Sequence, residues 1–299
     1  MSLIEENYKK NESSQPLKDM EKQAAFEAIL EKLGKPFSRG EKFAIYNGDS
    51  TELLSAIPSG SIDMSFTSPP YNIGKEYENI LPIDDFINWC IAWINQIYNA
   101  TSNNGSLLLN VGYLSIPNIA KSIPIPYLLW DKVPFYLQQE IVWNYGAGVA
   151  AKKFLSPRNE KLLWYLKNAE SYTFNLDEIR DPDVAYPNQK KRGKLRCNSI
   201  GKNPSDVWQI AKVTSGAGRS SSERTPHPAQ FPLDLCERAI KGFSRPDDII
   251  LDPFLGSGST IDASLRLGRF SIGFEIKKDY CSIAADRVEQ SLKLTKSLF

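Results

Sequence analysis

One stretch near the C-terminal end restricts the fold more than any other. Asp248-Ile249-Ile250-Leu251 is a short apolar run that passes directly into Asp252-Pro253-Phe254-Leu255-Gly256-Ser257-Gly258-Ser259-Thr260, and Ser259 to Leu267 then reads as a helix. A buried strand, a glycine-rich turn and a helix make the ligand corner of an open α/β sheet. Glycine lets the backbone turn tightly and approach a bound molecule, and the first helical turn offers unpaired N–H groups. The loop lacks the Gly-Lys-Ser/Thr of a P-loop, so no lysine is present to hold a terminal phosphate. Ile261 stands where a G-x-G-x-x-G loop has its third glycine. The corner therefore favours a cofactor without a pyrophosphate. The next strand, Phe270 to Phe274, runs into Glu275, and a carboxylate at a strand tip suits two ribose hydroxyls.

The rest of the chain supplies the sheet. Phe43 to Tyr46 is a strand closed by Asn47-Gly48-Asp49, and Ser50 to Ile57 is a helix with Ser50 as its expected cap. Ile62 to Phe66 is a strand running into Thr67-Ser68-Pro69-Pro70-Tyr71-Asn72. Asp84 to Ala100 is a long helix, Gly105 to Val111 a buried strand, and Phe135 to Trp143 and Lys161 to Leu166 are strands flanking Gly146-Ala147-Gly148. Pro232 to Lys241 and Asp279 to Leu292 are helices. Helices alternating with short apolar strands predict a mostly parallel sheet covered on both faces. Leu17 to Lys35 reads as a peripheral helix packed on this body, its apolar residues being Ala24, Ala25, Ala28, Ile29 and Leu33.

Between residues 168 and 228 the periodicity fades. The stretch is polar, rich in Pro, Gly, Asn and Ser, and longer than an ordinary loop, so it is either an inserted small domain or a mobile surface segment. It holds the densest basic cluster, Lys190, Lys191, Arg192, Lys194 and Arg196, and a Gly/Ser-rich run with Arg219 and Arg224. The net charge of the whole chain is only +1, so any affinity for a polyanion has to be local. Four scattered cysteines and one histidine, without a C-x-x-C pair, leave no zinc pattern, and no metal is expected. No apolar run reaches the length of a membrane span, and the polar beginning lacks the apolar core of a signal peptide, which points to the cytoplasm.

Thr67-Ser68-Pro69-Pro70-Tyr71 closes a strand with two consecutive prolines, which fix φ and leave carbonyls without neighbouring N–H donors. Such a rigid loop suits an amino group: Ser68 Oγ and the Pro69 carbonyl each accept one of its hydrogens, which leaves the nitrogen lone pair aimed at a donor. The Tyr71 ring offers a face for a stacked base.

Together the Ser-Pro-Pro-Tyr loop and the Asp-Pro-Phe-x-Gly-Ser-Gly-Ser-Thr loop resemble the catalytic and cofactor loops of the amino-methyltransferases of DNA. The catalytic loop comes first, as in the permuted β class, and serine at position 68 resembles the cytosine-N4 enzymes of type II restriction–modification systems more than the adenine-N6 enzymes. The resemblance extends from about Phe43 to Asp286. It implies a circularly permuted, Rossmann-like S-adenosylmethionine-dependent methyltransferase fold with a mostly parallel seven-stranded sheet. The implied divisions are a helical extension (1–40), a catalytic half (41–167), a small inserted target-recognition region (168–225) and a cofactor half (226–299).

The resemblance also assigns residues. Ser68, Pro69, Pro70 and Tyr71 form the catalytic loop. Thr67, Asp252, Pro253, Phe254, Gly256, Ser257, Gly258, Thr260, Glu275 and the backbone at Phe231 surround the cofactor, S-adenosyl-L-methionine, whose product is S-adenosyl-L-homocysteine. Phe254 stacks on the adenine or only fills the corner, and Asp49 lies near the adenine or caps a helix. The basic residues named above, with Arg219 and Arg224, contact double-stranded DNA. The implied reaction is direct in-line methyl transfer to a flipped-out cytosine N4, with no cysteine nucleophile. Such an enzyme protects host DNA from a cognate restriction endonuclease without binding it directly, and acts as a monomer or homodimer. Adenine N6 in the same fold is the first alternative, followed by an RNA methyltransferase or a non-catalytic DNA-binding module.

Overall fold

In the computed structural model, described over residues 20–76, 79–146, 150–213 and 221–296, the apolar runs form the expected strands. Strands β2 (Phe43–Asn47), β3 (Ile62–Thr67), β12 (Ile249–Asp252) and β13 (Phe270–Glu275) are buried nearly throughout rather than alternately. That pattern belongs to central parallel strands covered on both faces. β4 (Thr101–Val111), β7 (Tyr136–Asn144) and β8 (Asn159–Leu166) complete the interior.

The sheet has nine strands, in the order β1-β2-β13-β12-β3-β4-β8-β7-β11. The expected seven form its body, and two short edge strands, β1 (Ser38–Arg39) and β11 (Val207–Gln209), extend it. β2, β13, β12, β3 and β4 pair in parallel, whereas β8 is antiparallel to both β4 and β7. The carboxyl ends of the parallel strands and the beginning of β8 therefore meet at one edge of the sheet.

Side chains alternate between the faces with a period of two. Leu107, Leu109, Ile249 and Leu251 face one cluster with α1 (residues 20–33), α2 (Ser50–Ser55), α3 (Ile83–Ala100) and α4 (Pro126–Leu129). Met64, Phe66, Leu108 and Ile250 face the other, against α5 (Leu233–Phe243) and α6 (Ser259–Arg266). On α3 the buried residues Phe86, Cys90, Trp93, Ile94 and Ile97 recur at helical spacing and make one stripe. α1 does pack on the body, but its anchor is Phe26, wholly buried with its ring 5.0 Å from Phe270. α7 (Lys278–Lys296) closes the chain against Leu255 and Ile261 through Ala284 and Val288.

The structure departs from the sequence reading in three places. Asp49, not Ser50, caps α2, because its carboxylate accepts from the N–H groups of Thr51 and Glu52. Residues 112–134, unassigned from sequence, hold the hairpin β5 (Tyr113–Ile116) and β6 (Ala120–Pro124) followed by α4. The 168–225 stretch is partly woven into the body. A 3-10 turn (Leu176–Ile179) packs on α5, where Ile179 lies against Gly242. β11 then pairs in parallel with β7. The basic cluster forms a separate hairpin, β9 (Lys190–Lys191) and β10 (Lys194–Leu195), turning through Arg192 and Gly193, both at positive φ. All four cysteines are free thiols.

Candidate active site

β3 and β12 are hydrogen-bonded neighbours, with Met64 opposite Ile250 and Ser65 opposite Leu251, so their tips emerge side by side. Thr67 Oγ1 donates to Asp252 Oδ1 at 2.7 Å, Thr260 Oγ1 donates to Oδ2 at 2.7 Å, and the Phe254 N–H donates to Oδ1 at 3.1 Å. Burial outweighs the pull of these three donors and leaves the Asp252 carboxyl raised to about 6. Asp252, Thr67 and Thr260 thus form a buried clasp between the two loops. Only Asp252 and Thr260 of the three line the adjoining cavity.

That cavity, about 560 Å³, lies where the strand ends meet. At one end Phe254 stands edge-on to Trp93, with ring centres 5.1 Å apart, and Trp89 lies 5.7 Å from Phe254. Asp49, Pro253, Gly256, Ser257, Ser259 and Glu275 also line the cavity. Glu275 is drawn upward in pKa chiefly by burial, and its two oxygens accept the N–H groups of Gly256 at 2.9 Å and Lys277 at 2.8 Å. Gly256 and Gly258 both have positive φ, +54° and +79°. A Cβ at Gly256 would lie 2.8 Å from the His227 ring, and one at Gly258 would lie 2.9 Å from Ala284. These glycines are required by the protein's own packing, beyond any approach to a ligand.

The Ser-Pro-Pro-Tyr loop lines the same cavity. Ser68 Oγ and the Tyr71 hydroxyl share a hydrogen bond of 2.7 Å. Asn110, buried at the end of β4, donates from Nδ2 to the Tyr71 hydroxyl at 2.6 Å and to Glu160 Oε2 at 2.7 Å. The Tyr71 hydroxyl lies 3.2 Å from Glu160 Oε2, and Lys212 Nζ donates to Glu160 Oε1 at 2.5 Å. Lys212 also stands over the Tyr145 ring, 3.8 Å from its centre. The Tyr71 ring rests on the backbone at Gly112, where a Cβ would come within 2.9 Å of it. A chain of polar groups thus runs from Ser68 through Tyr71 and Glu160 to Lys212. Sequence reading found its first two members and missed Asn110, Glu160 and Lys212.

His227 is buried against Tyr280, and its Nδ1 accepts the Ala229 N–H at 3.3 Å. Burial lowers its pKa to about 4, so the ring is neutral at pH 7. Phe231 stacks on Phe66 with centres 5.0 Å apart, and its carbonyl accepts from Ser259 Oγ at 2.8 Å. Lys190, Lys191, Arg192, Lys194 and Arg196, on and just after the β9–β10 hairpin, are all exposed, and none of them lines the cavity. Arg224 is exposed beyond them, and Arg219 lies outside the described residues.

The family model described as DNA methylase, of the N6/N4 type, matches residues 62–286. The type II methyltransferase M.ScaI of Streptomyces caespitosus is 58% identical over 261 residues, covering 87% of this chain and 86% of that protein. The solved PvuII DNA methyltransferase (cytosine-N4-specific) superposes with a TM-score of 0.68 at 22% identity, covering 87% of this chain and 93% of that one. The M1.HpyAVI–SAM complex superposes with a TM-score of 0.55 at 24% identity, covering 82% and 98%. Two loops clasped at neighbouring strand tips, a shared cavity, and these matches over most of the chain lead to one conclusion: the protein belongs to the family of DNA methyltransferases that modify cytosine N4 or adenine N6.

Proposed function

We propose that this protein transfers a methyl group from S-adenosyl-L-methionine to cytosine N4 in a short duplex site, and so protects host DNA within a restriction–modification system. The observation that carries the reading is a cavity lined both by Ser68–Tyr71 and by the Phe254–Gly256 loop.

The residues present suit the cofactor. Phe254, Trp89 and Trp93 make an apolar wall fitted to a purine, and Glu275, lining the same cavity, offers carboxylate lone pairs to ribose hydroxyls. The loop from Asp252 to Thr260 carries no lysine or arginine, which fits a ligand without phosphates. Bound there, S-adenosyl-L-methionine supplies a methyl group on a positively charged sulfur.

The remaining roles belong to the chain itself. Ser68 Oγ and the Pro69 carbonyl accept the two amino hydrogens of the target base, which turns the nitrogen lone pair toward the cofactor end. The Tyr71 ring, held from behind by Gly112, supports the base plane. The proton lost from the amine has a path through Ser68 Oγ and the Tyr71 hydroxyl to Glu160, each link being within hydrogen-bond reach. Lys212 keeps Glu160 oriented. Because the target amine is paired inside a duplex, the nucleotide has to be flipped into this cavity. The basic hairpin and Arg224 hold the phosphate backbone, with Arg219 assigned the same part.

Serine at position 68 supports cytosine over adenine. The test is to methylate DNA with a labelled donor, digest it to nucleosides, and sequence the modified bases to map the site. N4-methylcytosine is the expected product. N6-methyladenine alone would overturn the choice of base and leave amino-methyl transfer standing. No modified base at all would overturn the reading as a whole.

A further inference from the structure

The loop between β7 and β8 stands at the same sheet edge as the cavity. Its two stems run directly into the site: Trp143 and Glu160 both line the cavity, and the last strand pair is Asn144 with Asn159. The Tyr145 N–H donates to the Arg158 carbonyl at 3.1 Å and holds the base of the loop closed. Further out, Ser156 Oγ accepts the Ala151 N–H at 2.8 Å and pins a tight bend that carries Lys152-Lys153-Phe154-Leu155.

This bend presents apolar side chains to solvent. Leu155 is 95% exposed, the most exposed large apolar residue among those described, and Phe154 is 53% exposed. Neither belongs to any buried apolar cluster. Lys152 and Lys153 beside them are exposed as well. An apolar tip beside two cations, on the loop that joins two strands whose ends line the cavity proposed for an extruded base, matches what a duplex presents when a base leaves it. That duplex has an apolar gap between stacked pairs and phosphates on either side of it.

We propose that Lys152–Leu155 is the flipping wedge of this enzyme. Leu155 enters the stack at the place vacated by the target base, Phe154 packs beside it, and Lys152 and Lys153 hold the flanking phosphates. The proposal rests on the base-flipping reading above. It adds which segment of the chain stabilises the opened duplex.

The test uses the full-length protein and a short duplex carrying the site mapped by sequencing of modified bases. A fluorescent cytosine analogue that still pairs with guanine, placed at the target position in a second copy of the duplex, reports extrusion of the base, and turnover is read on the unlabelled duplex. Leu155→Ala should lower the fluorescence rise and cut turnover on the matched duplex by about tenfold or more. On a duplex in which the target base is mispaired, flipping is easier, and the same variant should recover to within about twofold of the wild type. Ser68→Ala should show no such recovery. Cofactor affinity and thermal stability should be unchanged in Leu155→Ala, because the side chain supports nothing in the fold. Independently, Lys152→Ala/Lys153→Ala should reduce the slope of log affinity against log salt by roughly 1.8, the value for two lost phosphate contacts. Equal loss for Leu155→Ala on matched and mispaired duplexes, or no loss on either, would overturn the wedge. If the wild type methylates the duplex with no fluorescence rise and no gain from mispairing, base flipping itself fails and the wedge fails with it.

Discussion

The Thr67 hydroxyl donates to Asp252 Oδ1 at 2.7 Å, joining residues 185 positions apart at the tips of adjacent strands. This bond ties the Ser-Pro-Pro-Tyr loop to the glycine-rich loop, and the Thr260 hydroxyl holds the other oxygen of Asp252. Thr67→Val keeps the shape and removes the donor, leaving a buried carboxylate oxygen with one partner fewer. The expected cost is about 1–3 kcal/mol of stability in urea denaturation. Thr67→Ser should restore most of it. If the valine variant is as stable as the wild type, the clasp contributes nothing.

Tyr71→Phe separates the ring from its hydroxyl. The phenylalanine variant keeps the stacking surface on Gly112 but cuts the links to Ser68, Asn110 and Glu160. Turnover should fall on the order of tenfold or more while cofactor affinity stays unchanged. Single-turnover kinetics beside calorimetric titration separate the two quantities. A matching loss of cofactor affinity would show that Tyr71 shapes the cofactor site instead.

Gly256→Ala places a methyl group on a residue at φ +54° and within 2.8 Å of the His227 ring. Strain alone should cost about 1–3 kcal/mol, seen as a lower melting temperature. Moving this loop also disturbs its N–H bond to Glu275, so calorimetry should show weaker cofactor binding. Full cofactor affinity in the variant would remove the loop from the site.

The pH dependence of stability carries a signature of His227. Its folded pKa is depressed from 6.5 to about 4, so below pH 6.5 the unfolded chain takes up a proton that the native state refuses. Stability from this group is therefore complete above pH 6.5 and falls as the pH drops toward 4. Asp252 acts in the opposite direction. Its folded pKa is raised, so the native state holds a proton more readily, and its destabilising effect fades as the pH falls through about 6. Comparing His227→Asn with the wild type isolates the first effect. The gap in unfolding free energy between them should narrow by about 2 kcal/mol from pH 7.5 to pH 5. A constant gap would mean that His227 titrates normally.

The glycine corner and the proline loop were legible because each is a run of adjacent residues with distinctive backbone demands. Both were found at strand tips, as their flanking apolar runs required. Glu160 and Lys212 were not legible, for a geometric reason. A strand that ends at a site is marked by the loop residues at its carboxyl end, whereas β8 runs the opposite way and delivers Glu160 with its opening residues. Lys212 reaches Glu160 from the segment after β11, a three-residue strand too short to leave a periodic pattern. Asn110 was hidden inside an apolar strand, where one polar residue looks like an interruption. Asp252 shows the converse case: the motif was found, yet the partners that occupy its oxygens, Thr67 and Thr260, emerge only from the pairing of β3 with β12.

The hairpin Lys190–Leu195 forms its own two-stranded sheet and shares no ladder with the nine-stranded one. Its side chains are exposed, so substitutions there do not propagate into the interior. A lineage of such proteins is thus free to rewrite this projection, or to exchange it for a foreign graft, while inheriting the reaction centre intact. With the phosphate-holding role proposed for this hairpin, diversity in what is gripped and constancy in what is done to it are compatible in one architecture.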